Sequence, residues 1–239
     1  MVASFLKSIL KGTAWSELST FISPAFFSVV PTLEMMREAG NLAKSGFNKT
    51  QIETTNSEAH KLVIASLSQD EMQNKQILAL GYYFAQIMHL NHAIVDLRSD
   101  AFKLNDGSEQ KEITWSPAPL IVHWDSEFLS GIRDLYKGFY LEDAKLFSDS
   151  LKTLKLSPAE PELRRHFGEG DQSNVRFSLI DFQKSFQNVF LACQKNKLSL
   201  HPQFFGLGAM LVSLYENLER AETGLNVRDV FIRVSQVKL

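Results

Sequence analysis

Two aspartates at the ends of apolar runs are the residues of this chain best placed to hold a metal ion. Asp96 follows residues 93–95, and Asp125 follows residues 120–124, with a polar, turn-rich stretch between the two runs. Carboxylate oxygens are preferred ligands of Mg²⁺, and enzymes that transfer phosphoryl groups use acids to hold this ion. Phosphoryl transfer is therefore the first chemistry to consider for these two acids.

Histidines and the single cysteine form a second set of candidates. His89 and His92 are three residues apart, so a helix would place both imidazoles on one face, with Asp96 following. Two histidines without a second cluster are a weak zinc or di-iron pattern, and packing or surface roles compete with it. Cys193 lies in a helical pattern, which favours a small buried residue over a reactive thiol. A lone cysteine cannot form an internal disulfide, which is typical of a reducing compartment.

Common catalytic and nucleotide-binding motifs are missing from the sequence. It contains no GxxxxGK[ST] or GxGxxG loop, no GxSxG elbow, no HExxH and no CxxC. With 44% hydrophobic and 22% charged residues, the composition is that of an ordinary globular protein. The formal net charge of -2 gives no basic excess of the kind that nucleic-acid-binding proteins carry. We therefore expect no nucleic-acid partner, no metal and no cofactor.

Apolar spacing and helix-start residues predict a mainly α-helical chain. The segment that opens at Ser68 is expected to be a long apolar helix through Met88, and Pro202 is expected to start another that Gly224 stops. Glu142 and Asp143 together are expected to begin a helix and to serve its dipole rather than any chemistry. Further helix starts are predicted at Ser23-Pro24, Asn48–Gln51, Ser157–Glu160 and Ser178–Asp181, with stops near Gly46 and Gly168.

Strand signals are confined to two segments, about 93–104 and 119–124. Residues 107–119 and 169–174 are polar and turn-rich, which predicts surface loops. A chain of 239 residues can bury one sizeable core. We therefore predict a mainly α domain with one small β-hairpin-type element.

The N-terminal residues 1–11 form a basic, amphipathic pattern. Their apolar side chains fall on one helical face with Lys7 and Lys11 opposite, and the first acid is Glu17. This is typical of a mitochondrial targeting segment or of a helix lying on a membrane surface, and a helix packed on the rest of the fold is the alternative. No run approaches the ~20 apolar residues that a membrane-spanning helix needs.

From about Leu33 to Val234 the order of motifs resembles the C-terminal lobe of the UbiB-type (AarF-domain) atypical kinases. In that family a helix leads into an H-A-D-P-H-P-G-N-F-type loop, and a later strand ends in D-[FW]-G. Here the helix 77–90 leads into Asp96–Phe102, and Asp106-Gly107 is followed by Trp124–Glu127. The segments 198–202, 218–220, 224–227 and 138–140 resemble the family's L-x-L-P, L-E-G, L-D-P-x-x-N and G-D-Y patterns. The resemblance implies a kinase-C-lobe-like helical domain over 31–239, preceded by an amphipathic extension over 1–30.

Several positions depart from the family pattern. Ala101 stands where the family has its metal-binding Asn, and alanine offers no oxygen to Mg²⁺. Glu127 replaces the glycine after the second acid, Ile94 and Arg98 replace the motif histidines, and the lobe with the nucleotide-binding lysine has no counterpart. The resemblance thus implies a degenerate lobe. Asp96 and Asp125 are interpreted as vestigial acids that cap neighbouring loop amides, with no catalytic, cofactor or metal role.

Two functions follow as hypotheses. The first is a non-catalytic accessory protein in a larger assembly, plausibly a mitochondrial membrane-associated complex, with the N-terminal helix contacting the membrane surface. The second is a UbiB-like protein that binds a nucleotide or an isoprenoid-like lipid in quinone metabolism. Binding of Mg·ATP would favour the second hypothesis, because a ligand at 100 times its Kd adds ~2.7 kcal/mol of stability.

Overall fold

The computed structural model describes residues 23–45, 48–105, 112–167 and 174–237, and this part of the chain is mainly helical, as predicted. Several predicted features lie outside these residues. They are the N-terminal helix, the helix stops at Gly46 and Gly168, Asp106-Gly107 and most of the 169–174 loop. The helices are α1 (Pro24–Val29), α2 (Thr32–Ser45), α3 (Lys49–Ser66), α4 (Lys75–His89), α5 (Ser126–Tyr140), α6 (Ala144–Thr153), α7 (Glu160–Phe167), α8 (Leu179–Lys195), α9 (Phe204–Leu218) and α10 (Val227–Ser235). The strands are β1 (His92–Ile94), β2 (Phe102–Asn105), β3 (Glu112–Trp115) and β4 (Ile121–His123).

Polar side chains fix where the helices begin. Ser23, Asn48 and Ser178 each accept a hydrogen bond from the amide three residues on, as their sequence context predicts. The capping box of Ser68 also forms, but it closes around a short 3₁₀ turn. The long apolar helix α4 begins one turn later, because the side chain of Asn74 caps it. The predicted start of that helix at Ser68 is therefore wrong.

The β structure consists of two antiparallel pairs rather than one hairpin. Strand β1 pairs with β4, with His92 opposite His123, and β2 pairs with β3, with Phe102 opposite Trp115. The β2–β3 pair lies in sequence between β1 and β4. Strand β3 falls within the predicted loop 107–119, where the buried Ile113 and Trp115 flank a half-buried threonine. This short alternation is a strand signal that the surrounding polar residues obscured.

Helices α4 and α9 form the centre of the core. Every residue from Leu78 to Met88 in α4 is buried, and so is every residue from Phe204 to Leu214 in α9. A helix that is apolar on all sides must be surrounded, and α3, α5, α9 and α10 all pack against α4. These two helices therefore fix the positions of the elements around them.

Helix α1, which lies within the predicted N-terminal extension, packs into this core. Phe26 is fully buried, and its ring meets that of Phe190 on α8 edge-on, with 5.1 Å between centroids. The carbonyl of Val29 also accepts a hydrogen bond of 2.7 Å from the amide of Leu200. Residues 23–30 are thus part of the folded domain.

Helices α5 and α6 approach each other closely at Gly138. A Cβ atom at this position would lie 2.4 Å from the backbone nitrogen of Phe147 and 2.6 Å from its Cα. Both obstructing atoms belong to the backbone and cannot move aside as a flexible side chain would. The absence of a side chain at Gly138 therefore sets the distance between the two helices.

We expect Gly138→Ala to destabilise the protein by about 1–3 kcal/mol, the usual cost of overpacking a core. Gly40→Ala is the matched control, since a Cβ at Gly40 on α2 meets nothing within 4 Å. Alanine is favoured over glycine inside helices by roughly 0.5–1 kcal/mol, so the control should be neutral or stabilising. Urea denaturation measures both variants, and equal stability of the two would contradict the close-approach interpretation.

An ion pair between Glu71 and Arg233 joins α10 to the turn that precedes α4. The guanidinium donates two hydrogen bonds, of 2.7 and 2.6 Å, to the two carboxylate oxygens. These bonds from Arg233, followed by those from Ser68, lower the pKa of Glu71 to about 2. The charged carboxylate is thus favoured in the folded protein.

This pair predicts how stability depends on pH. Because the pKa of Glu71 is lower in the folded chain than its ordinary 4.5, its contribution is complete above pH 4.5 and is lost as the pH falls towards 2. In Glu71→Gln the loss of stability that Glu71 causes between pH 4.5 and 2 should disappear. At pH 7 the variant should be less stable than the parent. Thermal melts at several pH values test this, and parallel curves for variant and parent would refute it.

Candidate functional site

The first predicted acid, Asp96, is buried and holds a loop together. Its side chain is 2% exposed, and Arg98 donates to both of its oxygens, at 2.7 and 3.0 Å. The amide of Ala118 donates a further bond of 2.7 Å to the same carboxylate. The indole of Trp115 donates to the backbone carbonyl of Asp96 at 2.9 Å. The carboxylate is therefore occupied by protein donors.

The second acid, Asp125, is exposed and caps helix α5. One of its carboxylate oxygens accepts hydrogen bonds from the amides of Glu127 and Phe128, both at 3.0 Å. Glu127, in the first helical turn, adds a negative charge where the helix dipole favours one. Both acids thus bond backbone amides, as the capping interpretation predicts.

The strand pairing places the two acids at opposite ends of the β1–β4 ladder. Asp96 lies two residues past Ile94, whereas Asp125 lies two residues past His123, the residue that pairs with His92. Extrapolating this register puts Asp125 beside position 90, six residues from Asp96 (96 − 90 = 6), or about 20 Å at ~3.3 Å per residue. Two carboxylates that share one Mg²⁺ must each lie about 2 Å from it. Asp96 and Asp125 therefore cannot form one metal site.

The segment that does face Asp96 is 116–118, which contains no acid. Besides the bond from Ala118, the amide of Ser116 donates to the carbonyl of Ala101 at 2.7 Å. The residues of this segment are serine, proline and alanine.

His89 and His92, which the sequence raised as a weak metal-ligand pattern, contact different partners. The Nε2 of His89 donates to the carbonyl of Val234 at 2.8 Å and so ties α4 to α10. His92 instead faces His123 across the β1–β4 pair, with 5.9 Å between ring centroids. Burial, followed by the neighbouring His123, lowers the pKa of His92.

Cys193 is fully buried, as predicted, and burial raises the pKa of its thiol to about 11. A protonated buried thiol is a poor nucleophile and a poor metal ligand. Among the described residues, no cluster of three or more potential ligands could hold a metal ion.

A cavity lies where α4, α5 and α9 meet, and the sequence patterns did not predict it. Its volume is about 720 Å³. Each of these helices contributes side chains spaced three and four residues apart, which places them on one face. They are Leu80, Tyr83 and Phe84 on α4, Tyr136, Phe139 and Tyr140 on α5, and Leu211, Leu214, Tyr215 and Leu218 on α9.

Tyrosine hydroxyls supply the polar groups inside this aromatic cavity. Those of Tyr83 and Tyr136 hydrogen-bond to each other. Tyr140 also lines the cavity, and no hydrogen bond joins its hydroxyl to a described residue. Burial raises the pKa of Tyr136 to about 12 and those of Tyr83, Tyr140 and Tyr215 well above their ordinary value. All four phenols stay neutral at physiological pH.

Charged side chains line the edge of the cavity. Arg228, at the start of α10, donates to Glu142 at 2.6 Å and joins α10 to the turn between α5 and α6. Glu142 adopts a left-handed backbone conformation, with φ of 62°, and Asp143 next to it caps α6. The prediction that this acid pair opens a helix is confirmed for Asp143. Arg164 and Arg165 on α7 complete the charged edge.

The described cavity wall suits binding better than chemistry. It contains no histidine, cysteine, serine or lysine, and its one carboxylate, Glu142, is paired with Arg228. An activated nucleophile needs an adjacent base, and general acid–base catalysis needs a group that titrates near neutral pH. A mainly apolar wall with a few polar groups is instead typical of small-molecule pockets.

Comparison with protein-family models, with curated proteins and with solved structures finds no match for this chain. None of the described helices is both long enough and apolar enough to cross a membrane.

We expect the two aspartates to differ in what they contribute to stability. Asp96→Ala leaves Arg98 without its buried partner, which typically costs about 3–5 kcal/mol. Asp125→Ala removes a helix cap, which costs about 0.5–2 kcal/mol. Chemical denaturation of both variants measures the difference. A loss in Asp96→Ala no larger than that in Asp125→Ala would contradict the role assigned to the buried pair.

Proposed function

We propose that this protein is a non-catalytic binding protein that holds an elongated, mostly apolar molecule in the aromatic cavity. The cavity of about 720 Å³ is the observation that carries the proposal. This volume falls within the ~300–1,000 Å³ that ligand pockets typically occupy.

The shape of the wall supports an apolar ligand. Nine of the 21 described lining residues are aromatic. Several of these rings are held by stacked or tilted contacts, with centroids 4.8 Å apart for Phe139 and Phe167 and 4.7 Å apart for Tyr140 and Phe231. Rings fixed in this way keep the cavity from collapsing on itself. The hydroxyl of Tyr140 adds one hydrogen-bonding point for a polar atom of the ligand.

The second part of the proposal is that the protein catalyses no reaction. The buried carboxylate of Asp96 is bonded by Arg98 and Ala118, and the other acid stands at the far end of the ladder. An isoprenoid-like lipid, as in the quinone metabolism that the UbiB resemblance implies, belongs to the proposed ligand class. A role as accessory subunit of a mitochondrial membrane-associated assembly stays a prediction from residues 1–11, which lie outside the described part.

We expect Leu211→Trp to block the cavity while leaving the protein folded. Leu211 is the most exposed of the four cavity leucines, at 7%, so a larger side chain there should extend into the open space. The Kd for a neutral fluorescent probe such as Nile red should rise at least about tenfold, or ~1.4 kcal/mol. Ile64→Trp is the control, since it places the same side chain on an exposed position of α3, 54% accessible.

Fluorescence titration measures probe affinity, and thermal melting checks that each variant is folded. Unchanged probe affinity in a folded Leu211→Trp protein would overturn the proposed function. A melting temperature far below that of the parent would show that the space around Leu211 is ordinary core, because only overpacking carries that cost.

A further inference from the structure

A second, smaller cavity of about 320 Å³ adjoins the aromatic one. The two share four lining residues, namely Arg165, Val175, Phe177 and Tyr215. The rings of Phe177 and Tyr215 meet edge-on, with 5.1 Å between centroids, and border both cavities. The two cavities are therefore direct neighbours.

The smaller cavity also has a charged wall. Its described residues include three cations, Arg165, Arg176 and Lys184, and two acids, Glu162 and Asp181. The edge of the aromatic cavity carries arginines as well, but each of them pairs with a glutamate. The smaller cavity therefore differs in whether its cations are paired.

Among the described residues of this wall, the two acids pair with Arg165 and Lys184 and not with Arg176. A guanidinium nitrogen of Arg165 lies 2.5 Å from a carboxylate oxygen of Glu162. The amine nitrogen of Lys184 lies 3.9 Å from a carboxylate oxygen of Asp181, and both of these side chains are largely exposed. Exposed ion pairs contribute little to stability. Arg176 is exposed and forms no ion pair with any described residue. Its guanidinium can donate two parallel hydrogen bonds to a carboxylate or a phosphate.

We propose that the ligand is an anionic single-chain amphiphile. Its chain lies in the aromatic cavity, and its carboxylate or phosphate head lies in the smaller cavity against Arg176, with Lys184 beside it. This inference rests on the proposed function, because the chain must first occupy the aromatic cavity. It adds the chemical class of the head group and the direction in which the ligand lies.

Three ligands with the same chain and different heads test the proposal, namely dodecanoate, dodecyl phosphate and dodecanol. Each is titrated below its micelle-forming concentration against the full chain loaded with Nile red, and displacement gives Kd. We expect the two anions to bind at least about tenfold more tightly than the alcohol, because hydrogen bonds to charged groups are strong. The preference should shrink as salt is raised, because salt screens exposed charges. The ratio of the two anions identifies the head group.

Arg176→Ala should remove the preference for the anions and leave the affinity for dodecanol unchanged. Arg37→Ala is the matched control, since it removes an exposed arginine on α2, away from both cavities. Arg176→Lys should retain part of the preference, because the charge remains while the paired hydrogen bonds are lost.

Each of the following outcomes would contradict a stated part of the proposal. If dodecanoate and dodecyl phosphate bind no more tightly than dodecanol, the head-group assignment is overturned and the apolar site is unaffected. Failure of all three ligands to displace Nile red would overturn the proposed function as well. Competition by inorganic phosphate as strong as that by dodecyl phosphate would show an anion site without a chain, which also overturns the proposal.

Discussion

The buried carboxylate of Asp96 is the constraint on which the middle of this structure depends. A charge taken out of water costs several kcal/mol unless it is paired and hydrogen-bonded, and Arg98 and the amide of Ala118 meet that requirement. These bonds fix the loop between β1 and β2 against the segment between β3 and β4. Both strand pairs are thereby held in one arrangement.

The same loop also positions helix α9. The amide of Leu97 donates to the hydroxyl of Ser213 at 2.5 Å, and its carbonyl accepts from Asn217 at 3.0 Å. The amide of Ser99 donates to the carboxylate of Glu216 at 2.9 Å. Helix α9 thus uses its polar residues to bind the loop and its apolar residues to line the aromatic cavity. The loop that looked like a catalytic remnant serves as the support of a cavity wall.

What the sequence could predict was mostly local. Caps such as Ser23 and Asn48 depend on neighbours within one turn, so their residue types were sufficient. The burial of Cys193 followed from its apolar helical surroundings. The relation between Asp96 and Asp125 depends instead on the register of β1 against β4, which no local pattern sets.

The aromatic cavity could not be recognised for a different reason. A stripe such as Tyr136, Phe139 and Tyr140 has the same spacing whether it meets another side chain or open space. Only the packing of α4, α5 and α9 against one another decides between the two, and no local sequence pattern sets that packing. The high phenylalanine content, 18 residues, is typical of aromatic contacts between helices. It does not indicate where a cavity lies between them.

The position of Arg98, two residues from Asp96, has a consequence for any attempt to give the chain metal chemistry. A guanidinium tethered so closely is present at an effective concentration of at least the millimolar order, so an incoming cation competes with a partner that never diffuses away. Adding oxygen ligands at Ala101 and Ala118 would supply coordination without removing that competitor. The residue that would have to change first is the arginine, and the loop would lose its internal counter-ion with it.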